Sequence, residues 1–360
     1  MLRRFFRGFF YVGVIVGLLA TIVGLAGGIY FYLRLTRDLP QISNLNDYRP
    51  KAVTSIYSND GTLIAELYEE RRYPVTFDKI PLIVRQSFLA AEDANFYSHP
   101  GIDFISILRA FWVNLRKKSA KQGASTITQQ IVKSLLLSRE KTMERKAKEA
   151  ILSYRLEKAL SKDEILSIYL NEIYLGAGAY GVRAAAKVYF HKELDQLSIP
   201  EAAFLAGLPQ KPSELAKLEH REMAIQRQHY VLGQLFDKKM ISESDYKKAL
   251  ETPIQIFPQD ETTIFAAPYF AGHAMKVLKD LFPQIDKYAS PTSPGGYSVY
   301  TSVDLKATTL AEHALQRALR EVDKRQGWRG PIAHLVGEPL REFLEKHSVE
   351  RIIPEQLYKA

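Results

Sequence analysis

Between Arg7 and Arg34 the chain carries no charged side chain. The apolar run Gly8 to Leu33 is long enough to cross, as a helix, the roughly 30 Å hydrocarbon layer of a bilayer. Residues 9–33 are therefore read as one membrane span and residues 1–8 as a cytoplasmic tail. A cleaved leader would have a shorter apolar region, roughly 7–15 residues, and a small-x-small cleavage site before the polar chain. Arg3, Arg4 and Arg7, with no acid among them, favour a cytoplasmic N-terminus, while Arg34, Arg37 and Asp38 mark the far side. Tyr11, Tyr30 and Tyr32 fall where interfacial aromatics belong. Gly13/Gly17 and Gly24/Gly28 are spaced for close helix packing, a pattern that is also ordinary in membrane helices.

At 360 residues the chain can bury a substantial core and carry accessory segments. Its 49 basic and 40 acidic residues leave +9, which favours an anionic surface or ligand. No zinc-ligand, homeodomain or RNA-recognition pattern accompanies that charge, so nucleic acid is not implied. The absence of cysteine excludes a disulfide framework, a thiol nucleophile and a thiolate metal site.

Beyond the span, residues 34–74 read as a linker containing a hairpin. Leu39 to Pro50 is extended, and Ser55 to Leu67 offers two β-prone runs joined at Asp60-Gly61. Residues 75–250 form the main domain, where helical periodicity dominates from Pro81 onward. Ser161-Lys162-Asp163-Glu164 and Ser198-Ile199-Pro200-Glu201 are capping boxes that start helices. Prolines and aromatics replace the periodicity over the 251–294 connector. Residues 295–360 begin an accessory region, with a strand in Gly295 to Val303 and an amphipathic helix over Leu305 to Lys324. The fold class is mainly α with small β elements, and the chain is expected to end before its architecture does.

Four stretches carry chemistry. In Ala90 to Gly101 a helical run gives way to a Pro-Gly break, leaving Glu92 and Asp93 at a helix end. The negative pole of the peptide dipoles there would raise a carboxyl pKa, a useful bias for a proton acceptor. A solvated, frayed helix end has the same residues. Gly123 to Gln130 gathers hydroxyls and amides at a helix start, downstream of Arg116, Lys117, Lys118 and Lys121. Such groups suit sugar hydroxyls and phosphates, and they are equally those of an ordinary polar helix start. Arg145-Lys146-Ala147-Lys148-Glu149 is either a surface ion-pair cluster or a cationic clamp for a diphosphate leaving group. Tyr169 to Val182 interrupts a helix with three glycines among aromatics, for packing or for close approach of a ligand.

Taken together, Glu92-Asp93-x-x-Phe96-x-x-His99-x-Gly101, Gly123-x-Ser125-Thr126-Ile127-Thr128-Gln129-Gln130, Arg145-Lys146-x-Lys148-Glu149, the Tyr169 to Gly181 segment and Ala203-x-Leu205-Ala206-Gly207-Leu208-Pro209-Gln210 resemble, in order and spacing, the family 51 peptidoglycan glycosyltransferases. The framing by an anchor, a hairpin and a strand-plus-helix near residue 300 is similar to class A penicillin-binding proteins of the 1A type. The resemblance implies a lysozyme-like helical domain on the outer face of a bacterial inner membrane, polymerising lipid II into β-1,4-linked glycan.

On that resemblance Glu92 is the general base for the acceptor 4-hydroxyl, and the donor sugar is transferred with inversion. Glu149 lies near the lipid diphosphate with Arg145 and Lys148 as charge partners, while Ser125, Thr126, Gln129 and Gln130 contact the donor. Asp93 and His99 bind substrate or hold the loop, with His99 leaning to the latter. A divalent cation, magnesium, is implied by similarity and not by any ligand cluster in the sequence. Expected partners are lipid II, the growing lipid-linked strand, the membrane and regulators of wall synthesis. Ser138-x-x-Lys141 and Ser244-x-x-Lys247 occur without a Lys-Thr-Gly partner, so these residues are expected to give no penicillin-reactive transpeptidase. The rival readings are a lysozyme-like hydrolase or lytic transglycosylase, which would need no diphosphate clamp, and a non-catalytic cell-wall scaffold.

Overall fold

The computed structural model describes residues 2–37, 39–40, 52–68, 70–117, 125–137, 142–257, 264–282, 296–327, 330 and 334–347. Most of the 39–50 linker, Lys118 and Lys121, Gly123, Ser138 to Lys141 and parts of the 251–294 connector lie outside the described residues.

The chain opens with helix α1, Leu2–Thr36. Within it, Gly17–Thr36 is 20 residues long and apolar enough to cross a membrane, about 30 Å at the helical rise. Leu18, Leu19, Ile22, Val23, Leu25 and Ile29 are all exposed there, so among the described residues nothing covers this face. The hairpin read from Asp60-Gly61 is present: β1, Thr54–Tyr57, pairs antiparallel with β2, Leu63–Leu67. Asp60 closes the turn by accepting the Thr62 N–H at 3.0 Å and the Ser58 hydroxyl at 2.5 Å. The strand near residue 300 is β5, Ser298–Tyr300, and it lies parallel to β1 in the order β2-β1-β5. A segment more than 230 residues away thus completes the hairpin's sheet. A second, two-stranded sheet pairs β3, Arg71–Arg72, in parallel with β4, Ala179–Tyr180.

Helices fill the region between: α2, Leu82–Glu92; α3, Phe104–Lys117; α4, Ile127–Leu135; α5, Met143–Ala159; α6, Lys162–Glu172; α7, Val182–Phe190; α8, Ile199–Gly207; α9, Pro212–Leu215; α10, Arg221–Asp237; and α11, Glu243–Glu251. Both expected capping boxes form, at Ser161/Glu164 and Ser198/Glu201. α8 is buried along nearly its whole length and packs on both α2 and α10, while α4 packs on α5 and α6. One core results, in which Phe88, Phe96, Tyr169, Tyr189, Phe190 and Phe204 are the largest buried side chains. α12, Pro268–Leu281, contacts the hairpin through β2.

Residues 303–360 form a separate unit. It contains α13, Leu305–Arg325, begun by the Asp304 side chain accepting the Ala307 N–H at 2.9 Å, and α14, Glu338–His347.

Candidate active site

α2 ends where its sequence predicts, with Glu92 in the last turn and Asp93 as the C-cap. The two acids then diverge. Asp93 is buried, and its carboxylate meets His99 Nε2 at 3.0 Å and accepts the Ile127 N–H at 3.1 Å. The Gly101 N–H donates to His99 Nδ1 at 3.1 Å, so Nδ1 is the unprotonated nitrogen and Nε2 donates to Asp93. Asp93 and His99 therefore fasten the loop to the start of α4, in line with the holding role expected of His99. Glu92 is half-buried and open to the surface, with Oε2 accepting from Gln130 Nε2 at 2.8 Å. Its carboxyl is pushed above the usual glutamate value, first by burial, with Asp93 adding to the rise and Gln130 and Arg227 opposing it. The direction is the one expected. The cause is not: tertiary packing of α2 removes water from the carboxyl, and the helix end is not what drives the shift.

The rest of the loop is pinned from below. Thr126 donates to Gly101 O at 2.7 Å, and Lys162 donates to His99 O at 2.7 Å while pairing with Glu157 at 2.8 Å. Gly101 sits at φ +93, and a Cβ there would lie 2.8 Å from Ser153 O. Only glycine meets both conditions. Asp103 then caps α3: it accepts the Ser106 N–H at 2.9 Å, the Ser106 hydroxyl at 2.6 Å and Asn95 Nδ2 at 3.1 Å. Burial pushes its carboxyl up, but these donors outweigh it and bring the pKa to about 2.

The four polar residues at the start of α4 separate into two groups. Thr126 and Gln129 form a capping box, with Gln129 N–H on Thr126 Oγ1 at 3.2 Å and Thr126 N–H on Gln129 Oε1 at 3.0 Å. Both are buried, so their polar atoms build the helix start and do not line the surface where substrate contact was expected. Ser125 and Gln130 remain accessible. Ser125 accepts from Lys146 Nζ at 3.0 Å, and Gln130 holds Glu92.

On α5, Glu149 is 2% exposed and takes Arg145 Nη1 at 3.4 Å and the Lys146 ammonium on its two oxygens. Lys148, expected beside Glu149, instead pairs with Glu144 at 2.9 Å. Lys146 is the cation that sequence reasoning passed over, although helical spacing carried the signal. Positions 145 and 146 lie four and three residues before 149 on its face, whereas an adjacent residue points elsewhere. Arg145 Nε is buried without a hydrogen-bond partner among the described residues, which leaves donor capacity for an anion.

The glycine-broken segment after α6 is structural. Gly181, at φ +78, would place a Cβ 2.6 Å from Asn171 O. Asn171 in turn bridges to Val75 through N–H and C=O at 2.8 and 3.0 Å. Tyr169 lies beneath the acidic pair; its hydroxyl is buried without a partner among the described residues. Burial, then Glu92 and Asp93, push its phenol well above the ordinary value, so it stays neutral. A further surface went unread: Phe104, Ile105, Leu108 and Trp112 make an exposed apolar stripe on α3, directly after the loop.

Magnesium does not fit the side chains present. Both Glu149 oxygens face cations, Asp93 is engaged by His99 and Ile127, and no group of three acids or histidines converges among the described residues.

These features accord with the comparisons to known proteins. The transglycosylase family profile matches residues 60–236. Penicillin-binding protein 1A of Rickettsia felis is 40% identical over 328 residues, 90% of this chain and 41% of that one. The Escherichia coli (strain K12) protein of the same name is 40% identical across 87% of this chain and 36% of its own length. The one from Aquifex aeolicus is 36% identical across 86% and 42%. A crystal structure of penicillin-binding protein 1A from Haemophilus influenzae aligns with TM-score 0.44 and 27% identity, covering 82% of this chain and 34% of that one. The chain thus spans about two fifths of the length of the curated relatives it matches. Through residues 60–236, which hold the Glu92 loop, α4 and the Glu149 cluster, the chain belongs to the transglycosylase family of the penicillin-binding proteins.

Proposed function

We propose that this chain is a membrane-anchored peptidoglycan glycosyltransferase that joins lipid II units into β-1,4-linked glycan, as the N-terminal part of a bifunctional penicillin-binding protein. One observation carries the reading. The segment Ser125 to Gln130, which leads into and opens α4, touches both acidic centres: Gln130 holds Glu92, and Ser125, just before the N-cap, takes Lys146 of the Glu149 cluster. Those two contact points are five residues apart in sequence, on either side of the Thr126 N-cap. This supports reading Glu92 as the proton acceptor and the Arg145/Lys146 pair as the cationic cradle of one site.

In the reaction this supports, Glu92 takes the proton from the acceptor 4-hydroxyl as that oxygen attacks C1 of the donor sugar with inversion. The bond from C1 to the diphosphate oxygen breaks, and Arg145 and Lys146 stabilise the negative charge on the departing lipid diphosphate. Buried Glu149 fixes both cations in place. A divalent cation would be carried on the substrate's diphosphate, since the described residues offer no cage for it, and no step here depends on it. The exposed α3 stripe and α1 support an approach to the lipid surface from which a polyprenyl substrate arrives, with the N-terminus cytoplasmic and the catalytic domain on the outer face. A hydrolase or a scaffold gives no reason for a buried acid holding two cations next to the segment that holds Glu92.

Detergent-solubilised protein incubated with labelled lipid II should form glycan strands, and Glu92→Gln should abolish them. Shortening of preformed glycan without polymer would refute the proposal.

A further inference from the structure

Lys162, the first residue of α6, stands where a cation is least at home. It follows the Ser161 N-cap, at the positive pole of the helix, an end that favours acids such as its neighbours Asp163 and Glu164. Its contacts account for the placement. The ammonium donates to His99 O at 2.7 Å, meets both carboxylate oxygens of Glu157 at 2.8 Å and lies 4.3 Å over the ring of Phe96. Phe96 is fully buried, and the Glu157 side chain is 7% exposed. Glu157 in turn accepts the hydroxyl of Thr128, a fully buried residue of α4, at 2.5 Å.

Both ends of this path reach the supports of Glu92. At one end, His99 is tied at 3.0 Å to Asp93, the residue after Glu92. At the other, Thr128 lies two residues before Gln130, whose Nε2 holds the Glu92 carboxylate at 2.8 Å. None of Lys162, Glu157 and Thr128 is a group assigned to the reaction. We propose that Lys162 is a positioning residue for Glu92: by bridging His99 O to Glu157 and, through it, to Thr128, it fixes the loop that follows the base against the helix that orients the base. The inference rests on the reading of Glu92 as the base. The same turn of α6 makes a second tie, from the Tyr97 hydroxyl to Asp163 at 2.9 Å. Tyr97 is 55% exposed, so that bond competes with water, whereas Lys162 is 21% exposed and bonds to a buried carboxylate.

The test is kcat and KM for lipid II polymerisation by the full chain in detergent, measured well below the unfolding midpoint of each variant. Lys162→Met keeps the aliphatic stem against Phe96 and removes the ammonium. It should lower kcat by about 10–100-fold, the range that a misplacement of about 1 Å produces. KM should stay within about twofold, because no substrate contact is lost. Thr128→Val cuts the path at its other end and should show the same split. The double variant should lose little more than the worse single one, since both act through Glu157. Ser242→Ala is the control: it removes the cap of α11, where Ser242 accepts the Asp245 N–H at 3.0 Å, and should lower Tm with kcat unchanged. Wild-type kinetics in a folded Lys162→Met or Thr128→Val protein, a raised KM at unchanged kcat, or losses that multiply in the double variant overturn the inference. So does a loss of kcat in Ser242→Ala that matches Lys162→Met at equal loss of Tm. Should Lys162→Met unfold, Thr128→Val decides by the same criteria. Normal polymerisation by Glu92→Gln is a separate outcome, which removes the base assignment itself.

Discussion

Replacing Lys146 by alanine should damage the protein where replacing Lys148 should not, although the two lie on adjacent turns of charge in one short run. Glu149 is 2% exposed at its side chain, Arg145 16% and Lys146 44%. Stripping a buried carboxylate of every partner costs about 3–5 kcal/mol. Arg145 remains at 3.4 Å in the Lys146→Ala protein, and water can enter where the ammonium stood, so a third to a half of that figure, about 1–2 kcal/mol, is expected. For a domain of this size that is a fall in Tm of about 3–6 °C. Glu149→Gln should lower Tm by a similar amount, and the double variant should show a coupling of about 1 kcal/mol because the two losses share one contact. Lys148 pairs with Glu144 on the exposed face, and its removal should leave Tm unchanged. With labelled lipid II in detergent, Lys146→Ala should also reduce kcat by about 10–100-fold, having lost one charge from the leaving-group cradle. Greater loss of Tm and kcat in Lys148→Ala than in Lys146→Ala would show that the arrangement of α5 described here is not the working one.

Other consequences follow from the same geometry. Because a proton acceptor works only when ionised, the raised Glu92 pKa places the acid limb of kcat above that of an ordinary glutamate, with activity lost as pH falls through it. Glu92→Gln should remove at least about 100-fold of activity. It should leave Tm equal or higher, since a carboxyl raised by burial destabilises the fold at neutral pH and the amide does not. Asp103, lowered from 3.8 to about 2, contributes stability that is present above its unfolded value and lost as pH falls toward 2. Asp103→Asn should lower Tm at neutral pH and flatten Tm between roughly pH 4 and 2. Gly101→Ala combines a left-handed φ with a contact at 2.8 Å and should cost about 2–4 kcal/mol, read by denaturant unfolding. Serine at both Phe104 and Trp112 should weaken binding to anionic lipid vesicles without changing the unfolding midpoint, because both side chains are exposed.

What could be read from the chain alone divides along the distance over which each interaction acts. The Asp60-Gly61 turn and the boxes at Ser161 and Ser198 are settled by residues two to three apart, and they form as read. Thr126-x-x-Gln129 has the same spacing and could have been recognised as a capping box, which would have moved both residues from substrate contact to helix start. Glu149 likewise had its partners marked at three and four residues. The state of Glu92 had no such local signal. Its burial depends on α8 and α10, more than 100 residues downstream, packing on α2. The acid that the local sequence makes look like a frayed helix end has its pKa raised through burial by the far half of the domain. A fragment ending before α10 would therefore keep the loop's sequence and lose part of the packing that raises the Glu92 pKa.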